Sequence, residues 1–472
     1  MSFVVFVNGL LLLGLGTLML GNSVFFVATR QVFFEAGVLS VFAGTCLVLS
    51  TSSSLKGLHR LHTFVLTASV WLTAAAAGAL PLWMWHLTAT DAFFEAMSGI
   101  TTTGSTVMTG LDSTPRGILL WRALLQWIGG IGFVVTGIAL LPILRVGGMQ
   151  LFRTESSEKG EKEMARAARF ASATVSVYLG LTLCCALFYL AGGMTEFEAL
   201  VHAMTTLSTG GYSTSDASFG HFSSGFLEWS GTFFMLAGGL PFAWYIRVYN
   251  TGQWQSEQVQ ALVGGLAVST LALTLWLVIM NGMPFWDTLR HVAFNIVSVV
   301  TTTGFASTDY TLWGPLAVAV FFFLTIVGGC TGSTAGGAKV MRWLVTLRAA
   351  RAKLISVRYP HSLTTVRYEN RPLDRQVISG IMAFLTIYAV TISLLAMILG
   401  LYGLDLLTSV SGAATAVANV GPGVGTIIGP AGNFTTLPDG AKWFLSFGMY
   451  AGRLELMTVF VLFTPMFWRE LV

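Results

Sequence analysis

The sequence predicts an all-α, multi-span membrane protein in which four pseudo-symmetric modules surround one axis and two extra spans precede them. Two observations support this fold class. The 472-residue chain is 54% hydrophobic and 10% charged, with a mean hydropathy of +0.74, which is typical of multi-span membrane proteins. A short motif also recurs, as SGITTTG at 98–104, TTLSTGG at 205–211, SVVTTTG at 298–304 and TAVANVG at 415–421. Such repetition indicates quasi-equivalent units.

The first two apolar segments, residues 4–28 and 31–49, have no such motif between them. We expect them to form an added pair of spans within residues 1–55. The first segment is too long for the apolar region of a signal peptide and lacks a charged beginning, so we expect it to be retained.

Each following module is predicted to contain a span, a short re-entrant helix that ends at the motif, and a second span. The predicted modules are residues 56–150, 151–255, 256–370 and 371–472. Their predicted elements are 62–83, 91–100 and 119–144; 170–190, 195–207 and 226–249; 258–280, 286–300 and 312–347; and 377–401, 404–417 and 443–467. The long segments exceed the roughly 20 apolar residues that a bilayer requires, which gives about ten spans in all.

The repeated motif has two interpretations. Threonine and glycine clusters are common where membrane helices pack closely, because small residues let backbones approach. Four copies, each after a short amphipathic segment, favour a different structure: a ring of backbone carbonyls that replaces the water shell of a cation in a pore. Glycine permits the backbone angles that such a ring needs, and a helix ending at the ring presents its negative dipole end.

The Lys and Arg residues predict the orientation. With both termini in the cytoplasm, the inner loops receive most of these residues, which obeys the positive-inside rule, and all four motifs open outward. The outer side then keeps Arg30, Arg116, Arg122, Arg290 and Lys442. The two most basic inner segments, 145–169 and 339–375, either only set the topology or also dock a soluble partner.

Residues 328–337, GGCTGSTAGG, interrupt the second apolar segment of module three. Five glycines in ten residues destabilise a helix, since each costs about 1 kcal/mol relative to Ala. We expect a flexible polar break across the conduction path, the alternative being a kinked packing helix. A phosphate-binding loop is excluded, because Lys339 comes one residue late and Val340 stands where Ser or Thr is required.

Arg453 lies inside the last apolar segment, and an ionisable residue there suggests function. Glu455 is two positions away and faces another direction on a helix, so the carbonyls of residues 328–337 are the expected partners of Arg453. A group of acidic residues flanks the short helices on the outer side, where they either concentrate cations or cap helices. These residues are Asp91, Glu95, Glu196, Glu198 and Asp287.

Several motifs together resemble the TrkH branch of the Trk/Ktr/HKT potassium transporter superfamily. They are TTTGST, STGGYST, TTTGFAS, NVGPGVG, QWIGGIGFVV, LRVGGMQLFRTE, GGCTGSTAGGAKV and AGRLELMTVF. The resemblance covers the chain from the added pair of spans to the C-terminus. It implies a K⁺ selectivity filter made of the repeated motifs, in which Gly211, not Gly210, corresponds to Gly104.

The resemblance also assigns roles to individual positions. The implied filter and K⁺-binding residues are Thr102, Thr103, Gly104, Thr209, Gly210, Gly211, Thr302, Thr303, Gly304, Asn419, Val420 and Gly421. The implied gate consists of Gly328, Gly329, Gly332, Ser333, Gly336, Gly337 and Arg453. The fourth copy departs from threonine, so residue types alone do not determine the preference for K⁺ over Na⁺.

We therefore expect a channel-like K⁺ uptake protein of the bacterial inner membrane. The resemblance implies a homodimer and a cytosolic, nucleotide-binding regulator of the TrkA type. We expect no cofactor on this chain besides the transported K⁺, no nucleic-acid partner and no enzymatic activity, since no span carries a plausible catalytic set. A symporter that couples K⁺ to protons or Na⁺ is the alternative.

Overall fold

The computed structural model describes residues 1–52, 60–139, 161–361 and 365–471, and these are mostly helical. The helices are Ser2–Phe25 (α1), Arg30–Thr51 (α2), Arg60–Trp85 (α3), Ala89–Ile100 (α4), Arg116–Ala139 (α5), Glu161–Ala191 (α6), Glu196–Leu207 (α7), Gly225–Gly239 (α8), Phe242–Thr251 (α9), Glu257–Asn281 (α10), Phe285–Val300 (α11), Pro315–Thr325 (α12), Val340–Arg358 (α13), Arg375–Leu401 (α14), Leu406–Ala418 (α15), Asp439–Arg453 (α16), Met457–Phe460 (α17) and Pro465–Leu471 (α18). Short 3₁₀ turns occupy Val27–Thr29, Leu111–Ser113, Ser218–His221, Tyr310–Trp313 and Val461–Phe463.

The predicted fold class is confirmed, but the number of continuous spans is smaller than predicted. Within the described segments, seven helices are long and apolar enough to cross a bilayer, and the bent pair Asp439–Arg453 and Met457–Phe463 would be an eighth. The prediction of about ten assumed that every long apolar segment is one helix.

Three of the predicted second spans are interrupted. The segment 226–249 divides into α8 and α9 at Pro241, which has no N–H to continue the helical hydrogen bonds. The segment 312–347 divides into α12 and α13 at the Gly-rich loop. The segment 443–467 bends by 106° after α16, where Glu455 and Leu456 adopt positive φ angles of 63° and 28°.

The four short helices α4, α7, α11 and α15 have 12, 12, 16 and 13 residues. At 1.5 Å per residue they are about 18–24 Å long, too short for a hydrocarbon core of about 30 Å. Local sequence determines where three of them begin. Thr88 accepts a hydrogen bond from the Asp91 N–H (3.1 Å), Thr195 and Glu198 form a capping box, and Asp405 accepts from the Thr408 N–H (3.1 Å).

Packing between the modules closes a ring. Each short helix packs on the first long helix of its own module, as in α3 with α4 and α10 with α11. It also packs on a helix from the preceding module, which joins α5 to α7, α8 to α11, α12 to α15, and α16 back to α4. The four short helices therefore surround one axis, with their C-terminal ends among the most buried parts of the chain.

The added pair α1 and α2 packs along a face of small residues. A side chain at Gly16 would come within 3.0 Å of Val41, and one at Gly44 would come as close to the backbone of Gly9. This close approach is the expected use of glycine between membrane helices. Asn22 Nδ2 donates to the Gly117 carbonyl (2.9 Å) and attaches the pair to α5.

A two-residue antiparallel hairpin, Arg367–Tyr368 (β1) with Arg371–Pro372 (β2), follows α13 and was not predicted. Its turn residue Glu369 accepts hydrogen bonds from Ser256 Oγ (3.0 Å) and the Glu257 N–H (2.9 Å), which caps α10.

Of the basic residues assigned to inner loops, Lys56, Arg145, Arg153 and Lys159 lie outside the described residues.

Candidate functional site

The four copies of the repeated motif share one backbone conformation. Within two residues of the end of each short helix lies a residue in the left-handed region, and the glycine two positions after that residue also has a positive φ. The first set comprises Thr102 (52°), Thr209 (51°), Thr302 (58°) and Asn419 (56°), and the second comprises Gly104 (86°), Gly211 (76°), Gly304 (81°) and Gly421 (107°). In the second copy Gly211, and not Gly210, thus has the angle that Gly104 has.

The four glycines and four carbonyls form a closed ring. A Cβ atom added to any of these glycines would approach a carbonyl oxygen of the next module within 3.0 Å, closer than real Cβ atoms come. The pairs are Gly104 with the Gly210 oxygen, Gly211 with the Thr303 oxygen, Gly304 with the Val420 oxygen and Gly421 with the Thr103 oxygen. Glycine is required because the neighbouring module occupies the space of a side chain.

Most of these carbonyl oxygens are buried without a donor. No group among the described residues donates a hydrogen bond to the carbonyls of Thr103, Thr303 or Val420. The Gly210 carbonyl accepts one, from Gln126 Nε2 (2.6 Å). Because an unpaired buried carbonyl is costly, a ring of such groups fits a path for a dehydrated cation.

A cavity of about 190 Å³ lies directly beside the ring. All four ring glycines line it, together with Arg122 and the exposed carboxylate of Asp216. The carboxylate of Asp216 accepts hydrogen bonds from the N–H groups of Gly110 (2.7 Å) and Leu111 (3.1 Å), which fixes it at the edge of the cavity. Its neighbour Asp112 has a lowered pKa, chiefly because Ser215 donates a hydrogen bond to its carboxylate. Sequence reasoning missed both carboxylates.

Arg122, which the charge pattern places on the outer side, is buried. It is 1% exposed, and its Nε lies 2.8 Å from Oε1 of Glu95, which is fully buried. The same carboxylate accepts from the Val107 N–H (2.9 Å), just after the first copy of the motif. Arg122 Nη1 donates to the Ser213 carbonyl (3.2 Å) of the second loop. The ion pair therefore joins the loops that follow the first and second copies of the motif.

None of the other acidic residues singled out in the sequence is the N-cap residue of its helix. Asp91 pairs with Lys442 Nζ (2.6 Å) and Asp287 pairs with Arg290 (3.2 Å), while Thr88 and Pro284 precede the two helices. Glu198 contributes the carboxylate of a capping box, and Glu196 is exposed.

The Gly-rich segment is a buried loop between α12 and α13, in contact with residues that directly precede the ring. The Gly336 N–H donates to Thr302 Oγ1 (2.7 Å), and the Gly337 N–H donates to the Ala418 carbonyl (2.8 Å). Thr334 Oγ1 lies 3.3 Å from Thr209 Oγ1. The loop thus touches modules two, three and four at the ends of their short helices.

The Gly-rich loop packs against the break between α8 and α9 in module two. With the helix interrupted at Pro241, the Gly238 and Gly239 carbonyls accept hydrogen bonds from the N–H groups of Thr334 (3.3 Å) and Cys330 (3.0 Å). Among the predicted gate residues, Gly328, Gly332 and Gly337 have positive φ, and a Cβ at Gly329 or Gly336 would come within 3.0 Å of a neighbour. Ser333 is fully buried and donates to the Cys330 carbonyl (2.7 Å).

Arg453 ends α16 and is 1% exposed. Its Nη1 donates to the Thr334 carbonyl of the Gly-rich loop (2.8 Å), and its Nη2 lies 3.3 Å from the Gly129 carbonyl of α5. The guanidinium also lies over the Phe133 ring, 4.2 Å from the centroid. The Thr334 carbonyl belongs to the segment expected from the sequence, whereas the contacts with Gly129 and Phe133 were not predicted.

Lys339 and Arg342 are buried beneath the loop, although the sequence placed them among the cytoplasmic charges. Arg342 Nη2 lies 2.6 Å from Oε2 of Glu455, and its guanidinium lies over the Phe384 ring at 3.7 Å. Lys339 Nζ donates to the Ala335 carbonyl within the loop. No sequence signal indicated this pairing, because Arg342 follows a Gly-rich segment and resembles the basic residues after it.

The fold and this site define a multi-span membrane protein with four re-entrant loops around one axis. A family model described as cation transport protein, TrkH, matches residues 29–261 and 259–470. The chain belongs to the TrkH family.

Individual relatives agree with this assignment. The chain is 50% identical over 413 residues to the Trk system potassium uptake protein TrkI of Halomonas elongata, covering 86% of this chain and 84% of that protein. It is 36% identical to the Trk system potassium uptake protein TrkH of Escherichia coli K12, covering 86% of each. The crystal structure of the potassium transporter TrkH from Vibrio parahaemolyticus superposes with a TM-score of 0.89 at 31% identity, covering 99% of each chain.

Proposed function

We propose that this protein takes up K⁺ through a channel-like pore whose selectivity filter is the ring of four loops. The observation that carries this proposal is the closure of the ring, in which each glycine faces a carbonyl of the next module. Carbonyl oxygens of this kind replace the hydration shell of a monovalent cation. The relatives named as potassium uptake proteins support K⁺ as the ion.

The filter in this proposal combines the ring carbonyls with the ends of the short helices. Four helices direct their C-terminal ends at the ring, where the negative dipole ends favour a cation. The proposed filter residues are Thr102, Thr103, Gly104, Thr209, Gly210, Gly211, Thr302, Thr303, Gly304, Asn419, Val420 and Gly421.

The proposed gate is the Gly-rich loop with Arg453. The loop makes contacts with three filter copies, and the Arg453 guanidinium binds its Thr334 carbonyl (2.8 Å). A buried positive charge beside the path opposes cation passage, because Coulomb repulsion is poorly screened in a low-dielectric site. Opening then requires the loop and Arg453 to separate from the filter.

The setting of the protein is also a proposal. We place it in the bacterial inner membrane with both termini in the cytoplasm, as a homodimer that binds a cytosolic TrkA-type nucleotide-binding regulator. The part of α13 remote from the Gly-rich loop carries the basic residues Arg348, Arg351, Lys353 and Arg358, which suit a docked partner. The relatives' description as parts of a Trk system agrees with a separate regulator.

The test is a reversal-potential measurement on purified protein in liposomes under opposed K⁺ and Na⁺ gradients. We expect a K⁺-selective current in the wild type and a loss of selectivity in Gly304→Ser. Gly403→Ser is the matched control, because Gly403 has nearly the same φ (83° against 81°) but nothing within 4 Å of its Cβ position.

Two results would contradict the proposal. If Gly403→Ser relaxed selectivity as much as Gly304→Ser, backbone strain and not the ring would explain the effect. If the wild type gave no passive current and transport required a proton or Na⁺ gradient, the symporter would replace the channel.

A further inference from the structure

The second filter copy differs from the others at the ring carbonyl. This position is Thr103 in the first copy, Thr303 in the third and Val420 in the fourth, but Gly210 in the second. Gly210 does not have a positive φ, so its backbone conformation does not require glycine.

Side chains behind the ring hold the first and third copies. Thr101 and Thr103 share a hydrogen bond between their hydroxyls (2.8 Å), and Thr301 and Thr303 share an equivalent one (2.9 Å). In the second copy Ser208 corresponds to Thr101, but Gly210 has no side chain to meet it. The second copy therefore lacks this internal support.

Gln126, from α5 of module one, occupies the space behind Gly210. Its Nε2 donates to the Gly210 carbonyl (2.6 Å), and its Oε1 accepts from the Tyr212 N–H (3.0 Å). The two partners fix the orientation of the amide, because one can only accept and the other can only donate. Gln126 is fully buried.

The side chain of Gln126 and a side chain at position 210 exclude each other. A Cβ on Gly210 would come within 3.0 Å of the amide carbon, oxygen and nitrogen of Gln126. This contact accounts for the second glycine in STGG, which the repeat pattern leaves unexplained.

We propose that Gln126 is a positioning residue of the selectivity filter, which fixes the Gly210 carbonyl in place of the hydroxyl pair used by the first and third copies. The assignment rests on the proposed filter. One lone pair of the Gly210 oxygen binds the amide, and the other stays available to a cation. The amide also holds both ends of the Gly210–Tyr212 segment, so its loss frees the carbonyl to turn away.

The experiment compares four purified full-length variants in liposomes: Gln126→Ala, Gln126→Glu, Gly210→Thr and the double variant Gln126→Ala/Gly210→Thr. Gln126→Glu keeps the size and the acceptor for Tyr212, and its ionised form has no donor for Gly210, so at high pH it is informative if the alanine variant fails to fold. Gln260→Ala is the control, because Gln260 is exposed on α10. The readout is the K⁺/Na⁺ permeability ratio, which a defect in folding alone does not change.

We expect Gln126→Ala and Gln126→Glu to lower the permeability ratio by about three- to tenfold, the effect of losing one net hydrogen bond. Gly210→Thr should lower it as well, because the new side chain collides with Gln126. The double variant should recover selectivity, since Thr at position 210 has both space and Ser208 as a partner.

An unchanged ratio in both Gln126 variants, or a double variant no more selective than Gly210→Thr, would overturn the assignment. These outcomes are distinct from those expected if the proposed selectivity filter is wrong. If it is wrong, the wild type shows no K⁺ preference, or Gly304→Ser leaves the preference intact.

Discussion

Four residues that are not glycine hold left-handed backbone angles just before the ring. For L-residues this conformation costs roughly 1–2 kcal/mol each, and such strain persists only where surrounding contacts fix it. Three of them are fixed by hydrogen bonds of their side chains. Thr209 contacts Thr334, Thr302 accepts from Gly336, and Asn419 Nδ2 donates to Thr103 Oγ1 (2.9 Å) and the Met449 carbonyl (2.9 Å). Two of these strained residues, Thr209 and Thr302, are therefore held by contacts with the Gly-rich loop.

Asp112 provides a test of electrostatic attraction at the outer mouth. Its carboxylate lies 3.4 Å from the N–H of Asp216, which lines the cavity beside the ring. We expect Asp112→Asn to raise the K⁺ concentration for half-maximal flux by about twofold at low salt, because the local potential attracts cations. The difference should shrink near 0.15 M salt, where the Debye length is about 8 Å.

The pH dependence of this effect follows from the lowered pKa of Asp112. A carboxyl group with a lowered pKa stays charged at every pH above its ordinary value of 3.8. The difference between wild type and Asp112→Asn should thus persist from pH 8 to pH 5 and disappear only in stronger acid. The exposed Glu35→Gln is the control. A loss of the difference between pH 7 and pH 5 would contradict this interpretation.

At the scale of elements, the interrupted helices hold the Gly-rich loop. Thr334 Oγ1 donates toward the carbonyls of Leu207 (2.9 Å) and Gly238 (3.0 Å). On the other side, the Gln258 side chain accepts from the Thr331 N–H (3.0 Å). The loop is therefore held in place by hydrogen bonds of backbone, hydroxyl and amide groups.

Thr334→Val should loosen this closure while preserving the shape of the side chain. We expect K⁺ flux to rise and the free energy of unfolding to fall by about 1–3 kcal/mol, because buried carbonyls lose their donor. Flux in liposomes and thermal unfolding measure the two effects. Thr331→Val is the matched control in the same loop, since its hydroxyl has no partner among the described residues. Equal effects of the two variants would show that the Thr334 hydroxyl does not hold the loop closed.

The sequence was sufficient to predict some elements and not others. The four motifs follow the ends of short helices as predicted. Their glycines were a usable signal because the backbone there has positive φ angles, which glycine adopts readily. The Gly-rich break was predictable because glycine disfavours a helix. Pro241 was a usable signal for the break in module two, although it lies within a long apolar run.

Other features depend on contacts between distant residues. The bend after α16 involves Glu455 and Leu456, which have no special turn propensity, and Glu455 pairs with Arg342 over 113 positions. Gln126 and Gly210 are 84 positions apart. No local pattern in the sequence connects such residues, so the ion pair and the support behind Gly210 required the structure.

At the scale of the whole molecule, the packing of each short helix against the preceding module closes the chain on itself. The ring of carbonyls is a consequence of this arrangement, since each module contributes one loop and confines the loop of its neighbour. In the proposed function these loops together bind a dehydrated cation.

The most direct measurement is anomalous X-ray diffraction from crystals of the full-length protein grown with Rb⁺ in place of K⁺. The account predicts a peak enclosed by the carbonyl oxygens of Thr103, Gly210, Thr303 and Val420. A Rb⁺ peak bound elsewhere along the pore, with none within this ring, would contradict it.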